Sequence, residues 1–337
     1  MKKLSLFLIG LLLVPALFTS CDRGDDPADG DIIATPAFTQ MKQYMIDNDL
    51  DINDIKGDKT AGTFFVKPAP AAGDLATFLD TYYLMDIRSS TDFANARIEG
   101  ANNVPFSDIL TTAATTTKPI LVVCYTGQTA CYATALLRLY GYPNTFALKW
   151  GMSGWNAATS DKWDSKIGTI ANGHSNWSDS DTAPSILSFD DPTITTSLTN
   201  GGDILKQRVE AVVAAGFGPA TVTGADVLNN PGNYFINNYF SEGDYAAFGH
   251  IDGAYRILPF GLGDDSYKAL NSGTNAQLVT YCYTGQTSAV LTACLRVLGY
   301  DAHSMTFGMN GIYNDNPAWT TNQWGGDSGP KDLPIVP

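Results

Sequence analysis

The chain predicts an α/β protein built from two similar domains, each a central parallel sheet flanked by helices. Three observations carry that expectation. The hexapeptide CYTGQT occurs twice, at Cys124–Thr129 and at Cys282–Thr287. In the register that sets Cys124 on Cys282, ATALLRLYGY (133–142) falls on LTACLRVLGY (291–300), and after a single gap GMSGWN (151–156) falls on GMNGIY (308–313). Each copy also reads as strand, loop, buried helix and strand, the βαβ pattern whose right-handed crossovers build parallel sheets.

Taken in chain order, residues 1–20 read as an export signal. Lys2 and Lys3 precede an apolar run, Leu4 to Phe18, too short for a comfortable membrane span. The run ends in Leu17-Phe18-Thr19-Ser20-Cys21, which resembles the bacterial lipobox, so Cys21 is the expected lipidation site and mature N-terminus. Residues 21–36 are acidic and punctuated by Gly and Pro, the composition of a flexible tether. The expected place is the cell envelope, lipid-anchored on the periplasmic side of a membrane or at the cell surface. The first domain is expected over 37–157, an interdomain linker rich in Ser, Thr, Asp and Asn over 158–203, and the second domain over 204–330. Within the linker, Trp163, Ile167, Trp177 and Ile186 are apolar enough to pack on a neighbouring domain.

Inside the copies, PILVVCYT (119–126) and AQLVTYCYT (276–284) are short β-branched runs typical of buried parallel strands. Apolar and small residues then surround the helical wheel from Thr129 to Tyr140 and from Thr287 to Leu298, with Gly141 and Gly299 where a helix C-terminal glycine belongs. A further strand follows in each, Thr145–Leu148 and His303–Phe307. Upstream, DFANARIEGANNVP (92–105) falls on DYAAFGHIDGAYRILP (244–259) with small insertions.

The net charge of −14, from 34 acidic and 20 basic residues, argues against nucleic acid and anionic lipid surfaces as partners. With Cys21 set aside, Cys124, Cys131, Cys282 and Cys294 are too few for a disulfide scaffold in so long a chain. Cys131 and Cys294 fall opposite Ala289 and Leu136, which marks them as core thiols. The sharper alternative makes Cys131 a resolving thiol for Cys124.

Cys124 and Cys282 lie at the carboxyl ends of strands, where the loop turns into a helix N-terminus. The N–H groups of such a loop surround a centre that favours negative charge. A thiol there is expected to have a lowered pKa and to act as a nucleophile. Gly127 and Gly285 let the backbone curl. Tyr125, Thr126, Gln128 and Thr129, and in the second copy Tyr283, Thr284, Gln286 and Thr287, complete two candidate binding loops without a charged residue. The blander reading makes the two cysteines buried strand-end residues kept for packing.

Taken together these segments resemble the rhodanese superfamily. LMDIRSSTDFANARIEGANNVP, the six-residue cysteine loop and WGMSGW in copy one, and GHIDGAYRILP, the same loop and FGMNGIY in copy two, follow the order of that family's motifs. The resemblance implies sulfurtransferase chemistry: the loop cysteine takes a sulfane sulfur from a small donor, holds it as a persulfide and passes it to a thiol, cyanide or protein acceptor. A different reading of the same pockets is a sulfur-binding or delivery module without turnover, serving a cell-envelope redox protein. No cofactor or metal is expected. A phosphatase of the Cys-x5-Arg type needs a guanidinium where this chain has Ala130 and Ser288. A thiol protease needs a cysteine–histidine pair, and His174, His250 and His303 supply no duplicated one. The copies also differ: Asp86, Arg88, Arg97 and Trp155 of the first face Asn238, Phe240, His250 and Ile312 of the second.

Overall fold

The computed structural model describes residues 36–57, 62 and 64–337. The signal, Cys21 and nearly all of the tether lie outside the described residues. Copy one supplies β1 (Val66–Lys67), β2 (Tyr83–Asp86), β3 (Asn102–Asn103), β4 (Ile120–Val123) and β5 (Thr145–Leu148). They form one parallel sheet in the order β1-β5-β4-β2-β3. After β6 (Trp177–Ser178), copy two supplies β7 (Thr221–Val222), β8 (Tyr234–Asn238), β9 (His250–Ile251), β10 (Gln277–Tyr281) and β11 (Ala302–Met305). Its parallel sheet runs β7-β11-β10-β8, and Tyr255 bridges to Asn237 where copy one has β3. The two-domain parallel α/β expectation holds.

Residues 120–123 and the inner stretch of β10 are buried throughout, as strands covered on both faces must be. The helices after the hexapeptides, Gln128–Tyr140 and Gln286–Leu298, are apolar on every face because each packs on its own sheet and on the other helix. Both end on left-handed glycines, Gly141 (φ 115°) and Gly299 (φ 104°). Arg138 and Arg296 are structural: each Nε donates to the carbonyl that opens the next strand, Thr145 O and Ala302 O, at 2.9 Å.

Segments outside the two repeats cross between them. The N-terminal helices Ala37–Asp47 and Ile52–Lys56 reach copy two, where Asp51 accepts the N–H groups of Leu262 (2.8 Å) and Gly263 (3.0 Å) and Lys56 donates to Tyr239 Oη (2.7 Å). The linker crosses likewise. Gly168 N–H donates to Asn310 O (3.1 Å), Ala171 N–H to Ile312 O (2.9 Å), and β6 pairs with β9. In return the C-terminal tail lies on copy one: Leu333 N–H donates to Trp155 O (3.0 Å), Trp155 Nε1 to Pro334 O (2.8 Å), and Arg97 and Val336 exchange backbone bonds at 2.8 and 2.9 Å.

Candidate active site

Cys124 directly follows β4 and is 2% exposed, and Cys282 directly follows β10 with the same exposure. Gly127 adopts φ 87° and Gly285 φ 75°, a conformation open to glycine at little cost, and this turns successive N–H groups inward. The Cys124 Sγ accepts from Gly127 N–H at 3.1 Å and Ala130 N–H at 3.3 Å. The Cys282 Sγ accepts from Ser288 N–H at 3.4 Å, and its thiol faces Ser288 Oγ at 3.8 Å. Ser288 stands where copy one has Ala130, and its hydroxyl continues to Ser304 Oγ at 2.8 Å.

A short helical turn closes each loop from behind. Met152 N–H donates to Cys124 O (2.9 Å) and Ser153 N–H to Tyr125 O (3.0 Å); Met309 and Asn310 repeat this on Cys282 O (2.9 Å) and Tyr283 O (3.1 Å). The repeated Gly-Met-x-Gly motif is explained here. A Cβ on Gly151 would lie 2.4 Å from Cys124 O, and one on Gly308 would lie 2.1 Å from Cys282 O, so only glycine lets the turn approach.

The electrostatics correct one expectation. Burial pushes the Cys124 thiol up from its ordinary value, the N–H groups of Ala130, Thr126 and Gly127 pull it down, and the Asp86 carboxylate adds an upward push. Burial wins, so the thiol is not pre-ionised by its loop. Cys131 is driven up further, chiefly by burial, as expected of a core thiol, and all four described cysteines are free and buried.

The mouths of the two loops differ. In copy one Tyr125 Oη donates to Asp92 Oδ2 at 2.5 Å, with Arg88 and Lys162 over its ring at 5.8 and 5.9 Å. Arg88 itself is buried in a bidentate pair with Asp86, at 2.6 Å for Nη2 to Oδ2. A cavity of about 190 Å³ opens there between Arg88, Asp92, Tyr125 and Lys162. In copy two Tyr283 Oη donates to Asp244 Oδ2 at 2.6 Å, but Phe240 replaces the guanidinium and stacks on Tyr283 at 4.3 Å and 9°. Asn238 replaces Asp86 and donates to Tyr281 Oη at 2.8 Å. His250 is a packing residue, stacked on Tyr245 at 4.1 Å with its ring nitrogens against Ile251 O and Ser180 O.

The paired carboxylates Asp92 and Asp244 had a signal in the sequence, since the repeat aligns them. Lys162, in the linker, had none. Thr126, Gln128 and Thr129 also line a larger cavity of about 420 Å³ with Phe106, Phe217 and Phe307, where the two copies meet. Thr287 sits in the first turn of its helix, level with Thr129.

The rhodanese-like domain model matches residues 71–158 and again residues 239–315. The chain carries two rhodanese-like domains. Among solved structures, a rhodanese-related protein from Thermoplasma volcanium is similar at 22% identity over 26% of this chain and 87% of that one, with a TM-score of 0.22. A thiosulfate sulfurtransferase from Pseudomonas aeruginosa is similar at 15% identity over 85% of this chain, with a TM-score of 0.29; the rhodanese-like chain spans 49% of that protein's length. A 3-mercaptopyruvate sulfotransferase from Escherichia coli is similar at 14% identity over 76% of this chain and 99% of that one, with a TM-score of 0.25. No curated protein matches the sequence. Among the described residues of these rhodanese-like copies and their connections, no helix is long and apolar enough to cross a membrane, and no cluster of three or more His, Cys, Asp or Glu is placed to hold a metal.

Proposed function

We propose that this protein is an exported sulfurtransferase, held to the cell envelope through a lipid on Cys21, that carries sulfane sulfur as a persulfide on Cys124 and Cys282. The observation that supports it most directly is the Cys124 Sγ receiving two loop N–H groups at a helix N-terminus inside a rhodanese-like domain. With thiosulfate as donor, the Cys124 thiolate attacks the outer sulfur. A new sulfur–sulfur bond forms, the donor's breaks, and sulfite leaves with the electron pair. A thiol, cyanide or protein nucleophile then takes the outer sulfur and returns the thiolate. The loop N–H groups hold the charge of the terminal sulfur between the two steps.

Intact mass after treatment with thiosulfate, polysulfide or mercaptopyruvate tests this on wild type, Cys124→Ser and Cys282→Ser. An adduct of about 32 Da, one sulfur as in persulfidation, is expected on wild type and lost at the substituted site. No adduct under any donor would sink the reading. A second reading, a sulfur-delivery module with negligible turnover for a cell-envelope redox partner, is favoured by the burial of both thiols and the raised pKa of Cys124. A stable adduct without steady-state release to cyanide or thiols would select it.

A further inference from the structure

We propose that Gln128, in the first hexapeptide, is a positioning residue for Cys282 in the second; this rests on reading Cys282 as a reactive cysteine. The Gln128 side chain leaves its own loop and enters the other copy. Its Oε1 accepts the Phe307 N–H at 2.8 Å, and a Cβ on Gly285 would lie 2.4 Å from the same oxygen. The carboxamide is thus wedged between the second loop and the turn that closes it. It is fixed at its other end, where Nε2 donates to Thr126 Oγ1 at 3.1 Å, and the residue is 3% exposed.

Phe307, with φ 61°, caps the turn Gly308–Ile312. That turn holds Cys282 O through Met309 N–H and Tyr283 O through Asn310 N–H, with Gly308 pressed against the Cys282 carbonyl. A continuous path of bonds therefore runs from the first loop to the backbone of the second nucleophile. The reverse arm is built differently. Gln286 packs on Gly127, where a Cβ would lie 3.1 Å from its Cδ, but its buried Nε2 has no hydrogen-bond partner among the described residues. Of these two glutamines, Gln128 makes the hydrogen bond across the copies, whereas the Gln286 carboxamide nitrogen makes none among the described residues.

Full-length wild type, Gln128→Met and Gln128→Glu would be alkylated with iodoacetamide from neutral to alkaline pH, and modification at Cys282 followed by peptide mass mapping. Sulfur uptake from polysulfide would be measured in parallel. Met keeps the volume without an amide acceptor, whereas Glu keeps an oxygen at Oε1 but brings a carboxylate against the Gly285 loop. Gln128→Met should shift the Cys282 rate–pH profile and change the rate at neutral pH by about fivefold, the size of one net hydrogen bond, and Gln128→Glu should displace the profile to higher pH, as a carboxylate beside a thiol does. An unchanged Cys282 profile in Gln128→Met, or a Gln128→Glu profile that is not displaced to higher pH, overturns the proposal. Should Gln128→Met fail to fold by circular dichroism, Gln128→Asn, one methylene shorter, takes its place with the same two outcomes. If Cys282 takes up no sulfur in wild type while its alkylation still responds to Gln128, the sulfur-transfer reading fails and the positioning role stands.

Discussion

Gly151 and Gly308 do more to define the two thiol sites than any charged residue nearby. Each combines a left-handed φ with a carbonyl at a distance no Cβ tolerates. Gly151→Ala is expected to lower stability by about 2 kcal/mol or more in urea unfolding and to disturb Cys124 while sparing Cys282; Gly308→Ala should do the reverse. Equal disturbance of both thiols by one substitution would contradict that separation. For Cys124 the raised pKa has a definite sign. Its thiolate fraction, and so its iodoacetamide rate, should climb about tenfold per pH unit from neutral upward. A rate plateau already reached at neutral pH would show instead that the N–H groups outweigh burial. At this scale the sequence was readable where the repeat made it so: both cysteines, both loop glycines and the aligned pair Asp92 and Asp244. Burial of the thiol sulfur stood in the sequence only as the blander alternative, because it depends on what the fold lays over the loop.

Two elements, the strand end at Asp86 and its counterpart at Asn238, solve one packing problem by opposite means. In copy one a buried Asp86–Arg88 pair supports Tyr125; in copy two Phe240 supports Tyr283 by stacking, while Asn238 donates to Tyr281 Oη. Removing one member of a buried pair strands the other charge, whereas exchanging both for a packed apolar set is often tolerated. Arg88→Met is therefore expected to cost about 3–5 kcal/mol, and the double change Asp86→Asn with Arg88→Phe distinctly less. Chemical denaturation of the two variants compares them directly, and a double variant no more stable than the single one would count against the equivalence. Strands and helices of the repeats could be read from β-branched runs and all-round apolar helices. The path of 160–178 could not be read in full: Trp163, expected to pack, is fully buried and donates to Thr126 O of copy one at 3.0 Å, but polar, aperiodic sequence gives no sign that 168–178 runs onto copy two.

Across the whole molecule, alkaline pH should be the weak side of stability. Burial pushes Cys294 and Tyr132 up to about 12 and Cys131 well above its ordinary value. Groups raised on folding favour the neutral form in the native state. Their contribution is complete below the unfolded-state values, about pH 8.5–10, and fades as pH rises toward the folded ones. Calorimetric Tm should fall steadily above about pH 9, and a Tm constant through that range would refute the assignment. Deleting residues 331–337 removes Leu333, 2% exposed, and the backbone bonds to Arg97 and Trp155. Hydrogen exchange is expected to quicken around residues 151–156 and not around 308–313. That exchange of segments has a further consequence for how the protein comes apart. A break near the exposed Ile186 and Leu187 would leave each half carrying the piece that covers the other. Neither fragment is expected to be a module in its own right, and the two would complement only as a matched pair.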